Sequence, residues 1–253
     1  MTGQREQVAQ ACRRLAADRL VVGTAGNVSA RSGDRVAVSA TGAVLASMTA
    51  DQVTVVDLDG RVLEGQLAPT TELDLHLGVY RRYEAGAVVH THAPMATAVA
   101  CVLDELPCVH YQMLLLGGSV RVAPYATFGS AELAASVLDA LEGKTAALMA
   151  NHGALTYGPS LDHALEASEL LEWACTVYWR AAMLGSPRVL DADQRQAVIE
   201  AAVSKRYGTT RPIGPGADST GADPTGADPT HSDPSHSDPT PSESLDPDRA
   251  GTQ

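Results

Sequence analysis

Apolar residues recur along the chain with two different periods, and each period predicts a different kind of element. Apolar spacing of three to four residues predicts helices over 4–20, 71–83, 94–102, 130–141, 160–184 and 191–205. Alternation or short apolar runs predict strands over 27–31, 35–40, 53–58, 61–64, 87–92, 120–123 and 145–150. The two kinds of element alternate irregularly, which argues against a doubly wound parallel sheet. We predict an α/β fold in which helices flank a mixed or antiparallel sheet.

Short polar residues stand at the predicted helix starts, where they can accept hydrogen bonds from free backbone amides. The predicted N-caps are Thr71, Ser130, Ser160 and Asp191, the last in a capping-box pattern with Gln194. The Asp59-Gly60 pair predicts a hairpin turn. The chain contains no G-x-G-x-x-G or Walker A sequence, so the motifs support neither a dinucleotide nor a nucleoside triphosphate.

The composition changes abruptly at Gly214. Residues 214–253 contain a five-residue near-repeat, GADST, GADPT, GADPT, HSDPS and HSDPT, with almost no large apolar side chain. Such a segment buries too little apolar surface to offset the entropy lost on ordering it. The sequence therefore predicts one globular domain over 1–213 and a disordered acidic tail, rich in Pro, Asp, Ser and Thr, over 214–253.

Charge and composition narrow the classes of function. The formal net charge is −12, and the tail holds eight acidic residues against one Arg, which leaves −5 on residues 1–213. This balance argues against a nucleic-acid-coating protein and against electrostatic membrane binding. The sequence lacks an apolar run of transmembrane length and a signal-peptide pattern. Four scattered cysteines predict a reducing, cytoplasmic setting in which they serve as small core residues.

Three histidines follow or end predicted strands, which is a pattern typical of metal sites. His90 and His92 are two residues apart, so they project from the same face of a strand and can bind one ion together. His152 follows the next buried strand and precedes a glycine. Three imidazoles match the ligand count of a catalytic zinc site, although spacing alone also allows Mn, Co, Fe, or three unrelated histidines.

Other polar residues near the predicted strand ends complete a candidate site. Glu72 can be a metal ligand or general base, or it can only complement the dipole of the helix that follows. Turns at 23–27, 39–42 and 69–71 offer hydroxyls and free amides to an anion, without any Lys or Arg. Each turn alone can be just a turn. His76 and His163 lie in predicted helices without a partner at metal spacing, and we predict a structural role for both.

A run of motifs then resembles one family. GTAGNVSAR, SATG, EGQLAPTTE, AVVHTHA, HYQ, VAPYATFGSAEL and NHGAL occur in the order seen in the class II aldolase/adducin family, over about residues 5–208. Within that family, the motifs resemble those of the L-fuculose-phosphate aldolase branch. The resemblance implies a three-layer α/β/α fold with a mostly antiparallel central sheet. It also implies a homotetramer with active sites at the subunit interfaces.

The resemblance assigns roles to individual residues. It implies one zinc ion per subunit, with the ligands His90, His92, His152 and Glu72. It implies catalysis by Glu72 and by Tyr111 of a neighbouring subunit. The implied phosphate-binding residues are Thr24, Gly26, Asn27, Thr41, Gly42, Thr70 and Thr71, and the implied aldehyde side contains Phe128 and Tyr207. Without the resemblance, a partly buried structural tyrosine is the default interpretation of both Tyr111 and Tyr207.

The implied reaction is the reversible, zinc-dependent cleavage of a ketose 1-phosphate such as L-fuculose 1-phosphate. Its products are dihydroxyacetone phosphate and a short aldehyde such as lactaldehyde, formed through a zinc-stabilised enediolate. Two other activities of the family remain open, a ribulose-phosphate 4-epimerase and a sugar-phosphate dehydratase. A non-enzymatic adducin-like scaffold is a remoter alternative, because such a module should have lost the metal ligands that are present here.

Overall fold

The computed structural model describes residues 1–210, and the tail predicted over 214–253 lies outside the described residues. Six α-helices are found in the described part: α1 (Thr2–Ala17), α2 (Leu73–Arg82), α3 (Pro94–Ala100), α4 (Ala131–Ala140), α5 (Leu161–Leu184) and α6 (Ala192–Lys205). The same part contains nine strands: β1 (Asn27–Ser32), β2 (Arg35–Ser39), β3 (Val53–Asp57), β4 (Val62–Glu64), β5 (Ala87–Thr91), β6 (Glu105–Leu106), β7 (Val120–Ala123), β8 (Ala146–Met149) and β9 (Gly153–Gly158).

The strands form one sheet in the order β4-β3-β2-β1-β5-β9-β8-β7-β6. All neighbouring pairs are antiparallel except β7 and β8, which are parallel. The predicted fold class is confirmed, since helices flank a mostly antiparallel central sheet. No helix in the described part of the chain is long and apolar enough to span a membrane.

Both faces of the sheet are covered, because alternate residues of its central strands pack into two different apolar clusters. In β5, Ala87 and Val89 join a cluster with α1, α3 and α5, whereas Val88 joins a cluster with α2 and α4. Every residue of β5 is consequently buried. The core is mostly Ala, Val and Leu, as a chain with only ten aromatic residues requires. The histidine-bearing strand thus lies in the middle layer of the domain.

Three of the four predicted caps are present. Ser130 accepts a hydrogen bond from the Leu133 amide, Ser160 accepts one from His163, and the last helix begins with the expected capping box. The cap predicted for α2 was wrong, because the N-cap position is Glu72 and its neighbour Thr71 lies one residue too early. The Glu72 amide donates to the Thr70 hydroxyl instead. This one-residue shift leaves the Glu72 side chain at the helix start, directed towards the histidines.

Several features were not expected from the pattern. The sequence analysis missed the edge strand β6 and the central strand β9, which lies between β5 and β8. Cys12, Cys108 and Cys175 are buried as predicted, but Cys101 is exposed, because it directly follows α3 at the surface. The missed strand β9 matters for function, since its Ala154 contacts a predicted metal ligand.

Candidate active site

The three predicted metal ligands come together at one end of the sheet. His90 lies near the end of β5, His92 directly follows that strand, and His152 lies in the turn between β8 and β9. One ring nitrogen from each of them forms a cluster within 4.8 Å. His90 is fully buried, and the other two are partly exposed. The antiparallel pairing of β5 with β9 brings the two sequence segments side by side.

Hydrogen bonding fixes how the ring of His90 faces this cluster. Its Nδ1 lies 2.9 Å from the carbonyl oxygen of Ala154, which can only accept, so Nδ1 carries the proton. In the neutral ring, Nε2 then presents a lone pair to His92 Nε2 at 2.9 Å and to Glu72 Oε2 at 3.1 Å. Electron-pair donors this close repel one another unless a proton or a metal ion lies between them. The residues present therefore fit a divalent metal ion.

Burial favours the uncharged form of the other two imidazoles. Burial, together with His90 and His152, lowers the pKa of His92 to about 4. Burial and His90 also lower the pKa of His152, against an opposing effect of Glu72. Metal binding requires neutral imidazole, so these environments favour the form that binds zinc or a similar ion.

Glu72 is a buried carboxylate beside the histidines, with only 7% of its surface exposed. Its Oε2 accepts a hydrogen bond of 2.8 Å from Asn27 Nδ2, while its Oε1 lies 3.5 Å from His152 Nε2. Burial raises the pKa of this carboxyl, but positive charge at the histidine cluster, first of all at His90, together with the hydrogen bond from Asn27, outweighs burial and holds the pKa well below its usual range. Among the described residues, Oε1 finds no hydrogen-bond partner. The group can therefore act as a metal ligand or as a base through Oε1.

The three predicted anion-binding turns meet at the same place and line a cavity of about 280 Å³. Backbone hydrogen bonds join the second and third turns, since the Thr41 amide donates to the Ala68 carbonyl and the Thr70 amide donates to the Ser39 carbonyl. The cavity is lined by Thr24, Ala25, Gly26, Asn27, Ala40, Thr41, Gly42, Thr70, Thr71, Glu72, His92, Tyr125, Ala126, Phe128, Asn151 and His152. None of these lining residues is Lys or Arg. An anion here would be held by hydroxyls, amides and a nearby cation.

Gly26 lies where the first of these turns approaches the histidine-bearing strand β5. Its φ of +95° is a conformation that residues with a side chain rarely adopt. A Cβ atom at this position would stand 2.8 Å from the carbonyl oxygen of His90. Only glycine allows the turn and the histidine strand to approach this closely.

Residues 6–179 match the family described as Class II Aldolase and Adducin N-terminal domain. The chain belongs to this family. It is 35% identical over 206 residues to a 5-methylthioribulose-1-phosphate/5-deoxyribulose-1-phosphate aldolase of Rhodospirillum rubrum, an alignment that covers 81% of this chain and 92% of the relative. It is 34% identical over 195 residues to an L-fuculose phosphate aldolase of Escherichia coli K12, covering 76% and 90%. A solved L-fuculose 1-phosphate aldolase matches with a TM-score of 0.77 and 32% identity, covering 79% and 96%.

These similarities have two consequences. Family members of similar length that are named as aldolases show that the protein is an aldolase enzyme. Class II aldolases are metal-dependent, and the cluster of His90, His92 and His152 can hold such a metal. The expected family and fold are thereby confirmed.

The predicted catalytic Tyr111 and the two residues predicted for the aldehyde side are only partly brought together in a single chain of this class II aldolase. Phe128 lines the cavity and is 66% exposed. Tyr111 and Tyr207 line a separate, apolar groove between α6 and the segment 111–116, and their hydroxyls lie 3.0 Å apart. That hydrogen bond raises the pKa of Tyr111. Neither tyrosine lines the cavity that contains the histidines of the same chain.

The sequence analysis missed two groups of residues around the aldolase site. Tyr125, Ala126 and Asn151 line the cavity although none was predicted there. The second group lies behind Glu72, where His76 binds Asn27 through its Nε2. A signal for it was present, since Glu72 and His76 are four residues apart and share a helix face.

Proposed function

We propose that this aldolase uses a zinc ion, bound by His90, His92 and His152, to cleave a ketose 1-phosphate reversibly between C3 and C4. The products would be dihydroxyacetone phosphate and a short aldehyde. The observation that carries the proposal is the position of Glu72, whose Oε1 has no hydrogen-bond partner among the described residues and lies where the histidines adjoin the cavity. A metal site, a base and an anion-binding cavity are the three parts that this reaction needs.

Substrate binding is assigned to the three turns. The phosphate group would bind to the hydroxyls of Thr24, Thr41, Thr70 and Thr71 and to the amides of the glycine-containing turns. The side chain of Asn27 lies between Glu72 and His76, so both of its polar groups are already engaged. When bound, the zinc ion supplies Lewis-acid stabilisation of the negative charge that develops on substrate oxygens.

The proton steps balance without an oxidant or another reactant. During cleavage the C3–C4 bond breaks, its electron pair stays with C3, and the C4 hydroxyl loses its proton as the aldehyde forms. C3 then gains one proton, which we assign to Glu72 after the ionised carboxylate has taken a proton up from solvent. In the condensation direction Glu72 removes that proton again. One proton leaves the substrate and one enters, so two protein groups are sufficient.

We assign the proton of the C4 oxygen to Tyr111 of a neighbouring subunit in a homotetramer. Support comes from the surface position of this tyrosine, which is 39% exposed and lies in an apolar groove away from its own cavity. The groove also contains Leu115 and Val203, both more than two-thirds exposed. Light scattering coupled to size-exclusion chromatography tests the tetramer, and a monomer of full activity would contradict it.

The names of the relatives point to one kind of sugar tail. Fuculose 1-phosphate and 5-deoxyribulose 1-phosphate end in a methyl group, and 5-methylthioribulose 1-phosphate ends in a methylthio group. The cavity contains Ala126, Phe128 and Tyr125 beside its polar turns, which suits an apolar end. We therefore propose a ketose 1-phosphate with a deoxy or methylthio terminus as the substrate.

Glu72→Gln tests the role of the base. The variant keeps the size of the side chain but cannot take up a proton, so zinc should remain bound while exchange of the C3 proton of dihydroxyacetone phosphate with solvent is lost. Exchange is followed by NMR in deuterated water, with His163→Gln as the control because His163 is exposed and lies on α5. Unchanged exchange in the Glu72→Gln variant would remove this carboxylate from the role of base.

A further inference from the structure

A chain of buried polar side chains extends from Glu72 into the protein, away from the cavity. Its members, each no more than 7% exposed, are Glu72, Asn27, His76, Ser29 and Tyr80. Glu72, His76 and Tyr80 are spaced four residues apart, from the N-cap of α2 along one face of that helix. Asn27 and Ser29 are two residues apart on one face of β1. The helix and the strand therefore bring five polar groups together in an otherwise apolar layer.

Consecutive members of the chain are hydrogen-bonded. Asn27 Nδ2 lies 2.8 Å from Glu72 Oε2, and Asn27 Oδ1 lies 2.5 Å from His76 Nε2. His76 Nδ1 lies 2.7 Å from the Ser29 hydroxyl, which in turn lies 2.7 Å from the hydroxyl of Tyr80. The chain is continuous, so the position of each group depends on its neighbours.

The chemistry of the groups fixes the direction of every bond. The ionised carboxylate of Glu72 can only accept, so the Asn27 amide donates to it and the amide oxygen faces His76. That oxygen also only accepts, so His76 must carry its proton on Nε2 and present a lone pair at Nδ1. Ser29 then donates to Nδ1 and accepts from Tyr80. All the donors point towards one oxygen of Glu72.

The two carboxylate oxygens of Glu72 therefore have different surroundings. Oε2 is held by a donor that the preceding hydrogen bonds polarise, whereas Oε1 has no such partner among the described residues. Burial, with His90 adding to it and Glu72 opposing, lowers the pKa of His76 to about 3. The ring therefore stays neutral near pH 7, as the bond directions require.

We propose that His76 is a positioning residue, which fixes the orientation of the Asn27 amide together with Ser29 and Tyr80. The fixed amide holds Oε2 of Glu72, so Oε1 is the oxygen that transfers the C3 proton. The inference rests on the proposed function, since it names the oxygen and the residues behind it. His76 touches neither the cavity nor the substrate, so its effect passes through Asn27 and Glu72.

The tautomer of His76 is tested first, in the wild-type zinc-loaded protein, and this test does not depend on the reaction. Two-bond nitrogen–hydrogen NMR spectra of the labelled protein distinguish the two neutral tautomers. We expect His76 to carry its proton on Nε2. A proton on Nδ1, or a charged ring at pH 7, would overturn the inference even if the aldolase activity is confirmed.

The second test separates positioning from binding. His76→Leu removes the partner of the Asn27 oxygen, and His76→Gln keeps an N–H that can donate to it. We expect the Leu variant to lose C3 proton exchange about 10- to 100-fold, with unchanged zinc content and unchanged Kd for dihydroxyacetone phosphate, and the Gln variant to recover much of the rate. His163→Gln is the matched control.

Each outcome of this second test bears on the inference. If Leu at this position prevents folding, Ser29→Ala and Tyr80→Phe interrupt the chain further from the carboxylate and should each slow exchange by several-fold. In an Asn27→Ala background, neither His76→Leu nor Ser29→Ala should slow exchange further, because both effects pass through the amide. Equal exchange in all variants, or loss of rate only together with zinc, would overturn the inference. A wild-type protein without any exchange would instead contradict the proposed function.

Discussion

Adding one methyl group at Gly26 tests whether the turn at residues 23–27 and the histidine-bearing strand β5 depend on each other. In Gly26→Ala, the backbone at φ +95° would be strained, at a cost of about 1–2 kcal/mol. The new Cβ would stand 2.8 Å from the His90 carbonyl oxygen and 2.8 Å from Val21 Cγ1, and such overpacking costs about 1–3 kcal/mol. We expect a total loss of about 3 kcal/mol, which lowers Tm by about 10 °C in a domain of this size.

Gly23→Ala is the matched control, because Gly23 has a φ of +62° but no atom within 4 Å of the added Cβ. It shares the backbone strain and lacks the contact with His90, so its stability loss should be about 1 kcal/mol. Thermal unfolding followed by circular dichroism, at equal protein and zinc concentrations, measures both variants, and metal analysis follows zinc retention. We expect Gly26→Ala to lose zinc and Gly23→Ala to keep it. Equal losses of stability and equal zinc contents would refute the proposed close approach.

Three further predictions concern stability. Ser130→Ala removes the cap of α4 and should lower the free energy of unfolding by about 1 kcal/mol, measurable by urea denaturation, with no change in zinc content. His76 has a pKa of about 3 in the folded protein and near 6.5 in the unfolded chain. Its contribution to the free energy of unfolding is therefore present above pH 6.5 and is lost as the pH falls towards 3. Urea denaturation should therefore show that lowering the pH from 6.5 to 5 costs the wild type about 2 kcal/mol more than His76→Gln. Zinc at about 100 times its Kd should raise the free energy of unfolding by about 2.7 kcal/mol, and His92→Ala should abolish that gain.

Much of the fold could be predicted from local sequence, because caps and apolar runs act within a few residues. Ser130, Ser160 and Asp191 mark helix starts through their own side chains, and the structure confirms all three caps. The strand β9 could not be predicted in this way, since its short sequence Gly153–Gly158 begins and ends in glycine. Its position depends on pairing with both β5 and β8, which no local pattern records.

In the candidate site, too, local spacing could be predicted from the sequence, whereas contacts between distant segments could not. The spacing of His90 and His92 indicates a shared strand face, and the structure places both beside His152 as the sequence analysis expected. The roles of the neighbours depend on tertiary contacts instead. His76 was predicted to be merely structural, because only the packing of α2 against β1 reveals its bond to Asn27. Tyr111 and Tyr207 line a surface groove and not the cavity of their own chain, so spacing along the sequence could not place them.

The central claim is that zinc at the three histidines makes this protein a ketose 1-phosphate aldolase. The most direct measurement follows release of dihydroxyacetone phosphate with a coupled dehydrogenase, as zinc is titrated into chelator-stripped enzyme. Fuculose 1-phosphate, 5-deoxyribulose 1-phosphate and 5-methylthioribulose 1-phosphate are the substrates, and ribulose 5-phosphate epimerisation is assayed in parallel. We expect cleavage of at least one ketose 1-phosphate to rise with zinc and to saturate at one ion per subunit. Full activity without metal, or epimerisation with no release of dihydroxyacetone phosphate, would contradict it.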